Sequence, residues 1–298
     1  MKVLITGSSG LFGSALIPVL QSEGHSIKRL VRSETASIDI IRWDPENGKL
    51  DPAALEGLDA VVNLAGESIS EGRWTATKKA RIRSSRVKGT TLLAQTLAQL
   101  SQPPRVLVSS SAIGYYGDRG NDFLREDSGP GTGFLPDVCK EWEAATKPAE
   151  EKGIRVVILR TGIGLSTKGG ALAKMLVPFK MGVGGKIGSG RQYFSWIDLS
   201  DMIQVIRLAL ITDTLIGAVN AVSPNPVTNL VFTKTLGAVL HRPTLFPIPT
   251  PAARIAFGEM ADGLLLASAR VEPAKLIAAG YEFRYPDLEG SLYHVLGR

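Results

Sequence analysis

The sequence of 298 residues predicts an α/β fold, a doubly wound parallel sheet followed by a smaller C-terminal lobe. Short runs rich in Val, Ile and Leu alternate with amphipathic stretches, which is typical of parallel strands covered by helices on both faces. Gly7, Gly10 and Gly13 follow the first apolar run at three-residue spacing. After about residue 165 the alternation stops, and Gly and Pro become frequent. Together these observations predict a Rossmann-type sheet with a smaller lobe on the substrate side.

The predicted elements can be placed along the chain. The predicted strands are Val3–Ile5, Ser26–Val31, Ile38–Trp43, Ala60–Leu64, Arg105–Ser109 and Arg155–Leu159. The predicted helices between them include Gly13–Ser22, Thr75–Ala98 and Asp137–Lys152. Apolar residues at helical spacing over Ala252–Ala269 predict a later helix packed on the core, and a partner or membrane surface is the alternative.

This order of elements predicts two structural units. We expect the nucleotide-binding domain to cover residues 1–165, with a return segment at about 195–222. We expect the smaller, substrate-side lobe to cover residues 166–194 and 223–298.

The three glycines predict a dinucleotide site. Gly7 permits a tight turn, Gly10 lets a ligand approach the backbone, and Gly13 lets helix and strand pack closely. The N-terminus of the following helix offers free N–H groups and partial positive charge to a pyrophosphate. An ordinary glycine-rich turn is the alternative. The residues predicted to contact the cofactor here are Thr6, Gly7, Ser9, Gly10, Leu11, Phe12 and Gly13.

The ends of the next strands predict which dinucleotide binds. Arg32 ends the second strand, nineteen residues after Gly13. An arginine there matches the 2′-phosphate of NADP(H), whereas an acidic residue would bind the ribose hydroxyls of NAD(H). A solvated surface arginine is the alternative. Asp44 follows the third strand and either approaches the adenine amino group or forms a turn before Pro45. Leu64, Ala65 and Gly66 end the fourth strand and leave room for the ribose and phosphates.

Hydroxyl groups end the fifth strand, at the sheet edge where ligands bind. Ser109 is predicted to contact the cofactor. Ser111 could bind a substrate carbonyl or alcohol, or it could simply cap a helix or form a turn. Either phenol of Tyr115 and Tyr116 could reach the same crevice.

Several charged residues could bind an anion. The run Arg73–Lys88 contains seven basic residues and no acidic one, and most of them are expected on a solvated face. Arg83 and Arg86 could face the crevice and hold an anionic group. Arg191 and Tyr193 are similar candidates. The histidines show no metal-ligand spacing, so no metal site is predicted; they are His25, His241 and His294.

Composition narrows the partners and the compartment. A net charge of +6 favours anionic ligands but is too diffuse to indicate nucleic acid. The single cysteine, Cys139, excludes an internal disulfide and suits a reducing compartment. No apolar run reaches membrane-spanning length, and the chain opens directly into a strand. We therefore expect a cytoplasmic protein, or a processed form, with a small-molecule substrate as its partner.

These motifs together resemble the extended short-chain dehydrogenase/reductase superfamily, with its NAD-dependent epimerase/dehydratase-like members. The matching stretches are Thr6–Gly13, Asn63–Gly66, Ser109–Ala112, Arg160–Gly162 and Arg191–Asp198. A closer resemblance is to the sugar-nucleotide-epimerase-like subgroup labelled a cell-division-inhibitor homologue. It rests on Arg42–Pro45, Ser85–Val87, Val138–Glu143 and Phe283–Pro286. The resemblance implies a C-terminal domain of unassigned role at about residues 248–295, and a homodimer or a division-related protein as partner.

The chain departs from the superfamily at the catalytic pair. The superfamily uses a tyrosine and a lysine four residues apart, and the lysine lowers the tyrosine pKa so that the phenol passes a proton. Lys140 fits the lysine position, where it could also bond the nicotinamide ribose, but Pro136 stands four residues earlier. Arg86 replaces the usual asparagine. The predicted catalytic residues are Ser111, Tyr116 and Lys140, with Tyr115 as the alternative phenol.

Two functions remain open from the sequence. One is an NADP(H)-dependent oxidoreductase or epimerase acting on a small polar substrate, including a nucleotide-linked one. The other is a catalytically weak or inactive NADP(H)-binding regulator linked to cell or plastid division.

Overall fold

The computed structural model of the chain describes residues 1–33 and 37–298. Its strands are β1 (Lys2–Thr6), β2 (Ser26–Val31), β3 (Ile40–Arg42), β4 (Ala60–Asn63), β5 (Val106–Ala112), β6 (Phe123–Leu124), β7 (Arg155–Thr161), β8 (Ile163–Leu165), β9 (Tyr193–Phe194), β10 (Trp196–Asp198), β11 (Gly217–Ala221), β12 (Val227–Thr228) and β13 (Arg270–Val271). Its α-helices are α1 (Leu11–Ser22), α2 (Ala76–Gln99), α3 (Phe134–Ala144), α4 (Lys147–Glu151), α5 (Gly170–Lys180), α6 (Leu199–Ile211), α7 (Asn229–Leu240), α8 (Thr250–Phe257), α9 (Ala274–Ala278) and α10 (Leu288–Leu296).

A parallel sheet forms the centre of the molecule. Within the described residues it has seven strands in the order β11-β7-β5-β4-β1-β2-β3. The strand order reverses between β1 and β4, and a crevice at such a switch point is where ligands bind in this architecture. The register places Thr6 beside Asn63, and Asn63 beside Ser109. The predicted doubly wound α/β fold is confirmed, and it brings the ends of three strands to one crevice.

The apolar strands are covered on both faces. Val3 and Ile5 pack in a cluster with residues of α1 and α6, whereas Leu4 between them packs on the opposite face with residues of α2. All three side chains are fully buried. Successive strand residues point to opposite faces, so an unbroken apolar run is stable only between two layers of helices.

The C-terminal part of the chain adds a second cluster beside the sheet. Trp196 is fully buried among side chains of α5, α7 and α10. Asp198 is also fully buried; its carboxylate accepts hydrogen bonds from Ser200 N of α6 at 2.8 Å and from the Ser291 hydroxyl of α10 at 2.8 Å. These bonds tie α10 to the end of β10 and fix the lobe against the crevice.

Two helices are shorter than the sequence predicts. The helix expected over Asp137–Lys152 is interrupted between α3 and α4, where the Thr146 hydroxyl donates to Glu143 O at 2.8 Å. The helix expected over Ala252–Ala269 ends at Gly258, whose φ of 61° is left-handed, and a π-helical turn follows at Ala261–Leu266. No helix in residues 1–33 and 37–298 has the length and apolar character needed to cross a membrane.

Candidate functional site

The turn between β1 and α1 is too tight for side chains at two of its glycines. Gly7 has a φ of 63°, and a Cβ there would lie 2.6 Å from the carbonyl carbon of Leu64. A Cβ on Gly13 would lie 2.4 Å from Gly7 O. Gly10 N donates to Gly7 O at 3.0 Å and closes the turn. The glycine spacing in the sequence therefore reflects real close approaches of backbone to backbone.

The first turn of α1 is open to an anion. Gly10 caps the helix without a side-chain hydrogen bond, and the first turn holds no acidic residue. Ser9 and Gly10 are exposed. The N–H groups and partial positive charge of this turn therefore stay available, which is the environment that a pyrophosphate needs. Leu11 and Phe12 face the lobe instead and pack beside Gly170 and Gly164.

Thr6 and Ser109 hold the neighbouring strand ends together. The buried Thr6 hydroxyl donates to Asn63 Oδ1 at 2.8 Å and accepts from the N–H groups of Leu64 and Ala65, each at 3.0 Å. Asn63 Nδ2 in turn donates to Ser109 Oγ at 3.2 Å. The structure thus brings Thr6, Leu64, Ala65 and Ser109 together at the switch point. The Thr6 and Ser109 hydroxyls are buried in this network, so their contact with a cofactor stays a prediction.

Arg32 and Asp44, the two residues predicted to contact the adenosine part of the cofactor, follow the ends of β2 and β3. Arg32 is exposed directly after β2. Asp44 forms a turn, because its carboxylate accepts from Asn47 Nδ2 at 2.6 Å and its backbone pairs with Lys49. The hydrogen bond from the Asn47 side chain lowers the pKa of Asp44. The structure shows the turn role of Asp44, and the contacts of both residues with a cofactor stay predictions.

Ser111 is joined to a buried ion pair. Its hydroxyl donates to Glu143 Oε1 at 2.7 Å, and the same carboxylate receives two hydrogen bonds of 2.9 Å from the Arg160 guanidinium. Burial by itself would lower the pKa of Arg160, but Glu143 outweighs it and the net effect raises that pKa. The two side chains form a largely buried ion pair. A carboxylate only accepts hydrogen bonds, so Ser111 offers its lone pairs, not its proton, to any further partner.

The two tyrosines after β5 differ in exposure. Tyr116 is fully buried; its hydroxyl donates to Asn220 Oδ1 at 2.7 Å and accepts from Arg160 Nη1 at 3.0 Å. Burial raises the pKa of Tyr116. The structure does not bring its hydroxyl to the crevice. Tyr115 is half-buried with its ring 3.6 Å from the Arg160 guanidinium carbon, and its hydroxyl has no hydrogen bond within residues 1–33 and 37–298.

Helix α3 presents Cys139 to the crevice instead of Lys140. The Cys139 thiol is buried within hydrogen-bonding reach of the Ser111 side chain, whereas Lys140 is exposed. One step along a helix rotates a side chain by about 100°, so the two neighbours cannot face the same way. Burial raises the pKa of Cys139 to about 12, so the thiol is neutral. The structure therefore does not bring Lys140 together with Ser111.

The structure separates Arg83 from Arg86. Arg83 is exposed and pairs with Glu141 at 3.2 Å, whereas Arg86 is half-buried over the Trp142 ring, 5.0 Å from its centroid. The Arg86 guanidinium also packs against Gly66 at the end of the β4 loop. Of the two arginines, only Arg86 reaches the crevice.

Residues 191–193, which include two predicted anion-binding candidates, lie beside residues 265–270. Gln192 Nε2 donates to Leu265 O at 2.9 Å, and the guanidinium of Arg270 lies 4.8 Å from the Tyr193 ring centroid. Arg191 is exposed. In the part of the chain that the structure describes, no group of three or more His, Cys, Asp and Glu side chains could hold a metal ion.

Three residues that hydrogen-bond around Ser111 and Tyr116 have no role predicted from the sequence: Glu143, Arg160 and Asn220. Arg160 lies within an apolar strand, and that was a usable signal, because a buried arginine requires a carboxylate partner. Which carboxylate it would find was not visible from the local pattern.

The fold and the site define a Rossmann-type dinucleotide-binding protein: a parallel sheet whose first strand turns through three glycines into a helix at the switch point. Comparison with known proteins narrows this class. The chain belongs to the NAD dependent epimerase/dehydratase family, whose model matches residues 3–220, and residues 248–295 match a domain of unknown function, DUF1731. The resemblance to the epimerase/dehydratase-like members and the C-terminal domain of unassigned role are confirmed, and the cell-division label stays a prediction.

Similar proteins occur in distant organisms. Epimerase family protein Mb2239 of Mycobacterium bovis is 42% identical over 296 residues, which is 99% of this chain and 98% of that protein. Human epimerase family protein SDR39U1 is 35% identical over 300 residues, covering 99% of this chain and all of the human protein. The Bacillus subtilis epimerase family protein YfhF is 36% identical over 301 residues, covering 99% of this chain and 98% of that protein.

Two solved structures share the whole fold of this chain. The crystal structure of human SDR39U1 (isoform 2) with NADPH superposes with a TM-score of 0.93 at 34% identity and covers both chains completely. The nucleoside-diphosphate sugar epimerase from Corynebacterium glutamicum has a TM-score of 0.83 at 38% identity, and the match covers 100% of this chain and 58% of that one.

Proposed function

We propose that the protein is an NADP(H)-dependent oxidoreductase or epimerase that acts on a small polar substrate, including a nucleotide-linked alcohol. The observation that carries this proposal is the Ser111–Glu143–Arg160 network at the carboxyl end of β5, beside the switch point. The glycine turn supplies the dinucleotide cradle, and a relative of 34% identity is described with NADPH.

Each part of the cofactor has residues that would hold it. Gly7, Gly10 and Gly13 with the first turn of α1 would bind the pyrophosphate. The loop Leu64–Gly66 would lie against the ribose, and Arg32 would bind the 2′-phosphate. When bound, the nicotinamide supplies hydride chemistry.

Ser111 and Glu143 form a path for the substrate proton. Since the Ser111 proton is already directed at Glu143 Oε1, the Ser111 oxygen accepts a hydrogen bond from a substrate hydroxyl. As that hydroxyl transfers its proton to Ser111 Oγ, the Ser111 proton moves to Glu143. The Glu143 carboxylate, paired with Arg160, is placed to accept this proton, so the path favours taking a proton from an alcohol, the direction of oxidation.

The test is turnover with a panel of secondary alcohols and NADP⁺, and with the matching carbonyls and NADPH. Acid–base groups contribute about 10²–10⁴-fold to such steps, so Ser111→Ala and Glu143→Gln should each lose activity on that scale. Ser110→Ala is the matched control, because Ser110 precedes Ser111 on β5 and points to the other face. Absence of turnover across the panel, or a Ser111→Ala variant as active as the parent, would contradict the proposal.

A second function is favoured by one observation. On helix α3, Pro136 is buried at the position where the superfamily places its tyrosine, and Lys140 at the lysine position is exposed. A protein that binds NADP(H) without efficient turnover, acting as a regulator of cell or plastid division, would have this composition. Affinity capture with this protein as bait should then retain a partner protein either with NADPH or without it, but not in both conditions. If the captured proteins are the same with and without NADPH, the regulator function is excluded.

A further inference from the structure

Arg86 is a half-buried cation on the side of α2 that faces the end of β4. It projects from α2 onto the β4 loop, where its guanidinium carbon would be 3.2 Å from a Cβ on Gly66. Its other face covers the Trp142 ring at 5.0 Å. The charge of Arg86 also acts on the thiol of Cys139, which contacts Ser111. Arg86 is thus one side chain away from the predicted reacting group.

The neighbouring cations of α2 are matched by carboxylates, and Arg86 is not. Described ion pairs join Lys78 to Glu67, Lys79 to Glu259, Arg83 to Glu141 and Lys88 to Glu46. Among the residues in 1–33 and 37–298, no carboxylate lies within 4.0 Å of the Arg86 guanidinium. Burial lowers the pKa of Arg86, and this effect outweighs the opposing influence of Cys139 and Glu67. A half-buried cation of this kind is stabilised by an anionic ligand.

The hydrogen bonds of Arg86 leave one edge of its guanidinium free. Nη1 donates to Glu67 O at 3.0 Å and to Ile82 O at 3.1 Å. Nε and Nη2 have no hydrogen-bond partner within the described residues. Neither atom is fully buried, so both can be reached by a ligand. These two nitrogens form the planar fork that binds two oxygens of a carboxylate or phosphate at once.

We propose that the Nε and Nη2 groups of Arg86 bind a carboxylate or phosphate group of the substrate, close to the carbon that reacts at Ser111. This inference rests on the proposed function for the identity of the ligand as a substrate. It makes the protein selective for hydroxy or keto compounds that carry an anionic group near the reacting carbon. Neutral alcohols of the same size leave the fork of Arg86 without an acceptor.

The test measures anion binding without turnover. Oxalate and inorganic phosphate are titrated separately into the full-length protein loaded with NADPH, by calorimetry. We expect at least one of them to bind, and Arg86→Gln to weaken that binding by about tenfold or more, the scale of a charge-assisted hydrogen bond. Arg86→Lys keeps the charge but loses the planar fork, so its anion affinity should lie between that of the parent and that of Arg86→Gln. Arg83→Gln removes a cation three residues away on the exposed face and should change nothing.

The outcomes separate this inference from its alternatives. The inference is supported if the parent binds one of the anions and Arg86→Gln loses that binding while its NADPH affinity stays within about twofold. The anion that binds then identifies the class of group, carboxylate or phosphate. Equal anion affinity in Arg86→Gln and the parent overturns it, as does the failure of both anions to bind. A loss of NADPH affinity with unchanged anion binding also overturns it, because Arg86 would then contact the cofactor. Anion binding at Arg86 without any turnover would refute the proposed enzyme and leave the anion site standing.

Discussion

Gly13→Ala tests the account of the glycine turn most sharply. The added Cβ would lie 2.4 Å from Gly7 O and 2.8 Å from the Ser8 Cα. Both contacts are with backbone, so no side chain can rotate away. The nearest contact is shorter than the 3.0 Å that real Cβ atoms keep, so either α1 or the turn must move. We expect this movement to disturb the cradle and the packing of α1 together.

The magnitude follows from two opposing effects. Forcing one extra methyl group into a packed site destabilises by about 1–3 kcal/mol. Alanine inside a helix is more favourable than glycine by about 1 kcal/mol, which offsets part of this. The net loss should be up to about 2 kcal/mol, and each kcal/mol corresponds to a fall in the melting temperature of about 2–4 °C in a protein of this size.

Thermal unfolding and NADPH titration of the same samples provide the assay. Gly10→Ala is the matched control, because its Cβ would meet only Gly7 O, at 3.2 Å. That variant should keep the parent's melting temperature within about 2 °C and lose NADPH affinity, since the methyl group stands where the pyrophosphate approaches. A Gly13→Ala variant that melts and binds NADPH like the parent would refute the close packing described for this turn.

Three further variants or measurements probe the buried network. Glu143→Gln removes the charge that pairs with Arg160, so it should lower the free energy of unfolding in denaturant by about 3–5 kcal/mol. A loss under about 1 kcal/mol would show that the pair is not buried as described. Tyr116→Phe should lower the free energy of unfolding by about 1–3 kcal/mol, because Asn220 and Arg160 lose a hydrogen-bond partner. The same variant should bind NADPH as the parent does, and a loss of NADPH affinity would show that the phenol contacts the ligand. Cys139 should resist iodoacetamide near neutral pH in the folded protein and react after unfolding. Its pKa of about 12 lies above the unfolded value, so its contribution to stability is complete below about pH 8.5 and falls as the pH rises further; rapid alkylation in the native state would contradict its burial.

The sheet could be predicted because its signals are local. Val3, Leu4 and Ile5 form an unbroken apolar run, and such a run is stable only when both faces are covered. The three-residue spacing of Gly7, Gly10 and Gly13 is likewise a local pattern, although the close approach at Gly7 is to Leu64, after the neighbouring strand β4. Local patterns therefore were sufficient for the fold and for the cradle.

The catalytic end of the site depends on information that a motif match does not carry. Resemblance to the superfamily's tyrosine–lysine pair predicts a catalytic role for Lys140, but helix α3 is oriented by the packing of Leu135, Cys139 and Trp142. Those apolar positions follow helical spacing, so the periodicity of the segment would have turned Lys140 towards solvent.

Long-range pairing explains the remaining differences. Glu143 and Arg160 lie 17 residues apart and meet only because α3 packs beside β5 and β7. Tyr116 and Asn220 are 104 residues apart. No local pattern specifies such partners. The burial of Tyr116 and the hydrogen bond from Ser111 to Glu143 are therefore visible only in the folded chain.

We infer that NADP(H) binds in the crevice through the glycine turn and Arg32. The most direct test of this claim is a titration of the parent and of Arg32→Glu with NADPH and with NADH, followed by the fluorescence of the bound nicotinamide. We predict that the parent binds NADPH about tenfold or more tightly than NADH, the scale of a charged hydrogen bond to the 2′-phosphate, and that Arg32→Glu removes this preference. Equal affinity of the parent for the two cofactors, or the same preference in Arg32→Glu, would contradict the claim.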